Sequence, residues 1–109
     1  MNIDLLYFED CPSWESALAN LQSALAEESL TVPIRVVKVQ GAEEARRRGF
    51  WGSPSIQVDG ADLWPDERRG YFWGCRVYRT PEGFRGWPTV TMMREKLAGL
   101  TTTNMRGVK

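Results

Sequence analysis

The chain contains no histidine. That excludes a Ser-His-Asp triad, a Cys-His dyad and a histidine metal site built from this chain alone. Chemistry has to come from cysteine, the carboxylates, tyrosine or the backbone. There are only two cysteines, Cys11 and Cys75. They are too few for a disulfide framework, and in a reducing compartment they read as thiols or a reversible pair. Neither sign of charge is in excess: 14 Lys and Arg balance 14 Asp and Glu. No basic surplus therefore points to nucleic acid. No apolar run approaches the roughly 20 residues that span a bilayer. The N-terminal stretch lacks a basic segment and carries Asp4 and Glu9, unlike a signal peptide. These absences predict a cytoplasmic protein with no nucleic-acid and no membrane partner.

What is present is enough to build a core. At 109 residues and 42% hydrophobic content, the chain fits one domain. That domain is expected over residues 1–100, followed by a mobile tail over 101–109, which has no apolar pattern. Ile3 to Phe8 is nearly continuous apolar sequence, as in a central strand covered on both faces. Pro12 suits a first helical position, which makes Cys11 the capping residue. Trp14, Ala17, Leu18, Leu21, Ala24 and Leu25 recur at helical spacing to about Glu28. Ile34 to Val39 reads as a second strand, with Arg35 and Lys38 suited to a sheet edge.

Ala42 to Arg48 is a short helix with Glu43–Arg47 and Glu44–Arg48 four apart, stopped by Gly49. Ser55 to Val58 is a third strand, followed by the turn pair Asp59-Gly60. A long connection over 61–72 leads to a fourth strand near Gly74 to Arg79, then a Gly/Pro-rich loop from Thr80 to Pro88. A last helix from about Thr89 carries Val90, Met93, Leu97 and Leu100 on one face. The order β-α-β-α-β-β-α predicts an α/β domain: a four-stranded mixed sheet with helices on both faces.

Two short segments carry the chemical signal. Phe8-Glu9-Asp10-Cys11-Pro12 places a thiol where a strand turns into a helix, whose unpaired amides and positive dipole end favour a thiolate. Asp10 and Glu9 oppose that effect. Pro54, 43 residues later in Gly52-Ser53-Pro54-Ser55-Ile56, opens a strand and cannot continue the helix before it. The spacing leaves room for one helix, one strand and a second short helix between them. This layout resembles the thioredoxin-like fold, in which a cysteine at a helix start faces a cis-proline. The resemblance implies a cis Ser53–Pro54 bond beside Cys11, and a Ser53 backbone offered to an extended substrate. It departs from the dithiol pattern at Trp14, which stands where a second cysteine would. Cys11 must then act as a monothiol or find its partner elsewhere in the fold.

Cys75 is the one candidate partner. In a regular hairpin, the start of a fourth strand lies roughly 10 Å or more from the Pro54 end of the third. That is too far for a bridge, which needs Cα atoms within about 7 Å. The chain is also similar to the thioredoxin-like core of alkylmercury lyase, whose two cysteines match Cys11 and Cys75. That similarity implies that the two thiols meet. The lyase's proton-donating aspartate is replaced here by Trp14, so carbon–mercury cleavage lacks its acid. Closer still is the resemblance to small bacterial thioredoxin-like proteins of unsettled function, whose pattern runs Phe-x-x-Cys-Pro, Gly-Ser-Pro and Cys-Arg-x-Tyr.

Nine of the aromatic residues fall between Phe50 and Trp87. Most are expected to pin loops over the sheet, with Trp51 or Trp64 lining a cleft beside Cys11. The arginines at 46–48 and 68–69 are balanced by neighbouring acids. The expected function is thiol-disulfide or thiol-adduct chemistry without a cofactor or resident metal. Cys11 and Cys75 are the reactive residues, and Ser53, Pro54, Trp14 and Trp51 are the substrate contacts. Two rival readings stand beside it: a soft-metal binder using both thiols, and an interaction module that has lost redox activity.

Overall fold

The apolar period alternates between that of a strand and that of a helix through the first half of the chain, and the elements follow it. The structure, a computed structural model, describes residues 1–65 and 72–108, the side chains of residues 72 and 101–108 excepted. In chain order the elements are β1 (Ile3–Tyr7), α1 (Trp14–Glu27), β2 (Ile34–Lys38), α2 (Ala42–Arg48), β3 (Trp51–Ser53) and β4 (Ser55–Val58). Then come β5 (Ala61–Asp62), β6 (Phe72–Cys75), β7 (Tyr78–Thr80), β8 (Gly83–Arg85) and α3 (Val90–Val108). The described residues thus form a mixed α/β structure with three helices and a four-stranded mixed sheet of order β2-β1-β4-β5.

β1 lies inside the sheet, parallel to β2 and antiparallel to β4. Its side chains alternate between faces. Ile3 and Leu5 join Leu21 and Leu25 of α1 and Met93 and Leu97 of α3 in one cluster. Leu6 joins Val39, Ala45 of α2 and Phe50 in another. Helices therefore cover both faces, as the element order predicts. β2 takes the edge that its charges suggest, and Arg35 reaches across to Asp4 with two bonds of 2.9 Å. In α2, Arg48 pairs with Glu44 as expected, whereas Glu43 takes Arg46, one residue nearer than Arg47. Arg68 and Arg69 lie outside the described residues.

The expected fourth strand is where sequence and structure part. Asp59 and Gly60 both have positive φ, 52° and 86°, the pattern of a two-residue hairpin turn. The chain therefore folds back at once, and β5 pairs Val58 with Ala61 and Gln57 with Asp62. With that position filled, residues 72–75 pair elsewhere: β6 runs parallel to β3. Tyr78–Thr80, expected to continue the same strand, forms a separate hairpin with β8 inside the predicted loop. The last helix begins as expected, with Thr89 Oγ1 accepting the Met92 N–H at 3.1 Å as an N-cap. It continues to Val108, past the end of the apolar stripe at Leu100. Among the described residues, no helix is long and apolar enough to cross a membrane.

α1 and α2 end on the same backbone closure. After α1, Ser29 N–H bonds the Ala26 carbonyl and Leu30 N–H the Leu25 carbonyl. After α2, Gly49 and Phe50 make the equivalent bonds to Arg46 and Ala45. Ser29 and Gly49 hold the left-handed position, with φ of 57° and 64°. Glycine occupies that conformation without a Cβ penalty, and serine does not. Ser29→Gly should therefore stabilise the protein, and Gly49→Ser should destabilise it, each by about 1 kcal/mol. Urea unfolding of the two variants checks the pair of opposite signs.

Candidate functional site

β1 hands the chain to a tight turn in which the Cys11 N–H bonds the Phe8 carbonyl at 3.2 Å. Pro12 and Ser13 follow before the first helical bond, from Ala17 N–H to the Ser13 carbonyl. Ser13 is therefore the N-cap of α1, and Cys11 lies two residues ahead of it rather than at the cap. Cys11 is also buried, at 1% exposure, and its Sγ donates to the Ser53 carbonyl at 3.3 Å.

The Ser53–Pro54 peptide is cis and sits against Cys11, as expected. Its surroundings differ from expectation. Ser53 and Pro54 are fully buried, and the Ser53 carbonyl also accepts the Arg76 N–H at 2.9 Å. Ser53 Oγ accepts the Phe8 N–H at 3.1 Å, tying the end of β1 to the same residue. The chain's own 72–76 segment thus occupies the backbone that was expected to receive a substrate. Ser53 and Pro54 build the site but are not open to a ligand.

Arg76 fixes that segment. Its guanidinium donates to both carboxylate oxygens of Asp62, at 2.7 and 3.2 Å, to Ser55 Oγ at 3.0 Å, and to the Trp64 carbonyl. Side-chain exposure is 10% for Arg76 and 4% for Asp62, so the ion pair is buried and multiply hydrogen-bonded. The guanidinium also lies 4.6 Å from the centre of the Tyr78 ring. Tyr78 in turn donates its hydroxyl to the Pro54 carbonyl at 2.6 Å. Burial pushes the Tyr78 hydroxyl far up from its ordinary value, which keeps it a donor. Backbone, guanidinium and phenol together hold residues 75–78 against the cis-proline loop.

The consequence is that Cys75 faces Ser53 across the β3–β6 pair. The carbonyl of that same Ser53 accepts from the Cys11 thiol, so both cysteines converge on one residue and the two thiols interact. The expected separation from the Pro54 end is wrong because it assumed a hairpin with the third strand, and the actual pairing is parallel to β3. Cys75 is exposed whereas Cys11 is buried, so the two thiols are an outer and an inner one. The bond to Cys11 pushes the Cys75 thiol up from its ordinary value, helped by desolvation and by the charges of Cys11 and Asp10.

Trp73 lies two residues before Cys75 on β6. Its ring packs on Phe8 at 4.9 Å and on Phe50 at 6.0 Å. It lines a cleft of about 310 Å³ with Phe8, Glu9, Asp10 and Lys38. Trp64 instead packs edge-on against Tyr78, and Trp51 lies half-buried in β3. Trp14 stacks on Tyr7 at 4.3 Å and packs, partly buried, against the main core. Tyr71 lies outside the described residues. Among the described residues, no group of three or more His, Cys, Asp or Glu side chains is arranged to hold a metal ion. Arg76, Asp62 and Tyr78 hold the segment that bears Cys75, and spacing alone did not reveal them. The visible signal was the Cys-Arg-x-Tyr run, whose alternate residues turn inward together. No family model, no curated protein and no solved structure matches this chain.

Removing one partner of a buried ion pair strands the other. Arg76→Ala should cost about 3–5 kcal/mol in urea unfolding, and Arg76→Lys clearly less, since a cation still faces Asp62. The pH behaviour of Cys75 follows from the sign of its shift. Its alkylation rate in the wild type should reach half-maximum above the ordinary thiol value of about 8.5. Cys11→Ala, which removes the largest cause, should lower that midpoint and speed alkylation at neutral pH. Rates of iodoacetamide labelling against pH, read by mass spectrometry, test both statements.

Proposed function

We propose that this chain is a thioredoxin-like thiol protein whose working unit is the Cys11–Cys75 pair, and that it carries out thiol-disulfide exchange in a reducing, cytoplasmic setting. The single observation that carries this reading is that two cysteines 64 residues apart in sequence converge on Ser53, beside a cis-proline. The β1-α1-β2 start, the cis-proline before β4 and the helices on both faces support the thioredoxin-like assignment. The Cys-Pro, Gly-Ser-Pro and Cys-Arg-x-Tyr runs are those of the small bacterial proteins that the sequence resembles.

Accessibility assigns the two roles. Cys75, the exposed thiol, meets the substrate, and Cys11, the buried one, resolves. Cys75 loses its proton and attacks one sulfur of a disulfide, forming a mixed disulfide and releasing the first thiol. Cys11 then attacks the Cys75 sulfur, closing the internal bridge and releasing the second thiol. Two cysteine thiols and one disulfide become one internal disulfide and two thiols, with both cysteine protons passing to the products. An external thiol restores the dithiol. The same pair suits a second reading, two-coordinate binding of a soft metal ion as cargo, because two thiolates suffice for such a site.

The reading is tested by mixing the reduced protein with a small disulfide and counting free thiols by alkylation. The wild type should lose both thiols as one internal bridge. Cys11→Ser should stall as a mixed disulfide on Cys75, and Cys75→Ser should react at least about tenfold more slowly, because burial shields Cys11. Equal rates for Cys75→Ser and wild type would sink the assignment of roles. A wild type that binds Hg²⁺ one to one but never forms the bridge would transfer the conclusion to the metal reading.

A further inference from the structure

Trp73, Cys75 and Val77 occupy alternate positions of one extended segment, and all three are exposed, the two apolar side chains at 38% and 64%. Arg76 and Tyr78, the intervening pair, turn inward to Asp62 and Pro54. A period of two thus sets the outer thiol between an indole and an isopropyl group on one solvent face. Charge adds a second constraint. Glu9, Asp10, Lys38 and Trp73 line the cleft beside this strip. Lys38 bonds Glu9 at 2.9 Å, so among the described residues lining the cleft two carboxylates face one cation and leave an excess negative charge. That charge is felt at the Cys75 sulfur, since Asp10 is among the groups acting on it. Arg76 does not offset it, being held by Asp62.

Resting on the exchange reading above, we infer that the substrate of this site is an uncharged disulfide flanked by apolar groups, and that anionic disulfides of the glutathione type are disfavoured. The apolar strip gains contact area when such a group docks on either side of Cys75. The acidic rim repels a carboxylate brought to the same sulfur. The exchange steps themselves are those given above.

Three probes separate the effects: glutathione disulfide, hydroxyethyl disulfide, and the disulfide-linked dimer of acetyl-Phe-Cys-Phe-amide. They are respectively anionic, neutral and polar, and neutral and apolar. Formation of the Cys11–Cys75 bridge is followed for each at one pH and low salt. The wild type should react fastest with the peptide dimer and slowest with glutathione disulfide. Asp10→Asn should raise the glutathione-to-hydroxyethyl rate ratio about threefold, the effect of one unit charge at close range in water. High salt should raise it in the same direction. Val77→Ser should lower the peptide-to-hydroxyethyl ratio by about threefold through lost apolar contact. Because each ratio compares two probes on one variant, changes in Cys75 ionisation cancel. Ratios unmoved in both variants would overturn this specificity while leaving exchange intact. A wild type that forms no bridge with any probe would overturn the exchange reading itself.

Discussion

The buried pair between Arg76 and Asp62 is the interaction on which the site depends. Asp62 belongs to β5, the strand that the Asp59-Gly60 turn adds to the sheet edge. Arg76 belongs to the segment that crosses the cis-proline loop. Joining them across 14 residues closes that connection and sets Cys75 opposite Ser53. A buried charge without a partner is strongly unfavourable, so neither side chain can leave without the other. The geometry of the fork also matters. Arg76 reaches Ser55 and the Trp64 carbonyl with the same planar group, which a single ammonium could not do at once.

The second constraint is the Ser53 carbonyl. It accepts from the Cys11 thiol and from the Arg76 backbone, so the inner thiol and the segment bearing the outer thiol are both measured from one atom. Ser53 Oγ adds the end of β1 to the same point. The residues before and after the cis bond therefore act as a template inside the protein. Burial then divides the two sulfurs: one faces the core and the other faces solvent. Of the two, the Cys75 sulfur is the one open to solvent.

Local pattern was sufficient wherever one element's own residues decide its structure. β4 has the bounds that Ser55 to Val58 suggest, and β1 and β2 fall within a residue of their apolar runs. α1 buries Ala17, Leu21, Ala24 and Leu25, the positions that recur at helical spacing. The cis peptide lies at Ser53–Pro54, as the thioredoxin-like resemblance and not local pattern implied. Pattern failed where a choice of partner was involved. Residues 72–75 have the composition of a strand, and nothing in that composition distinguishes pairing beside β4 from pairing beside β3. The Asp59-Gly60 pair held the missing information, because two positive φ angles force an immediate hairpin and so fill the edge.

The sequence by itself determined the alternation of strands and helices, the absence of histidine chemistry, and the placement of a thiol and a proline near one end of β1. Those properties are local: hydrophobic period, side-chain inventory and the geometry of proline. Only the tertiary structure decided that Cys75 meets Cys11, that Cys75 is the exposed member of the pair, and that Ser53 and Pro54 are closed to a ligand. Each of these depends on which strand takes the last place on the sheet and on a buried ion pair between residues far apart in sequence. Such pairings are fixed by the free energy of the whole fold, in which an unpartnered Asp62 or Arg76 is excluded, and no short stretch of the chain contains that condition.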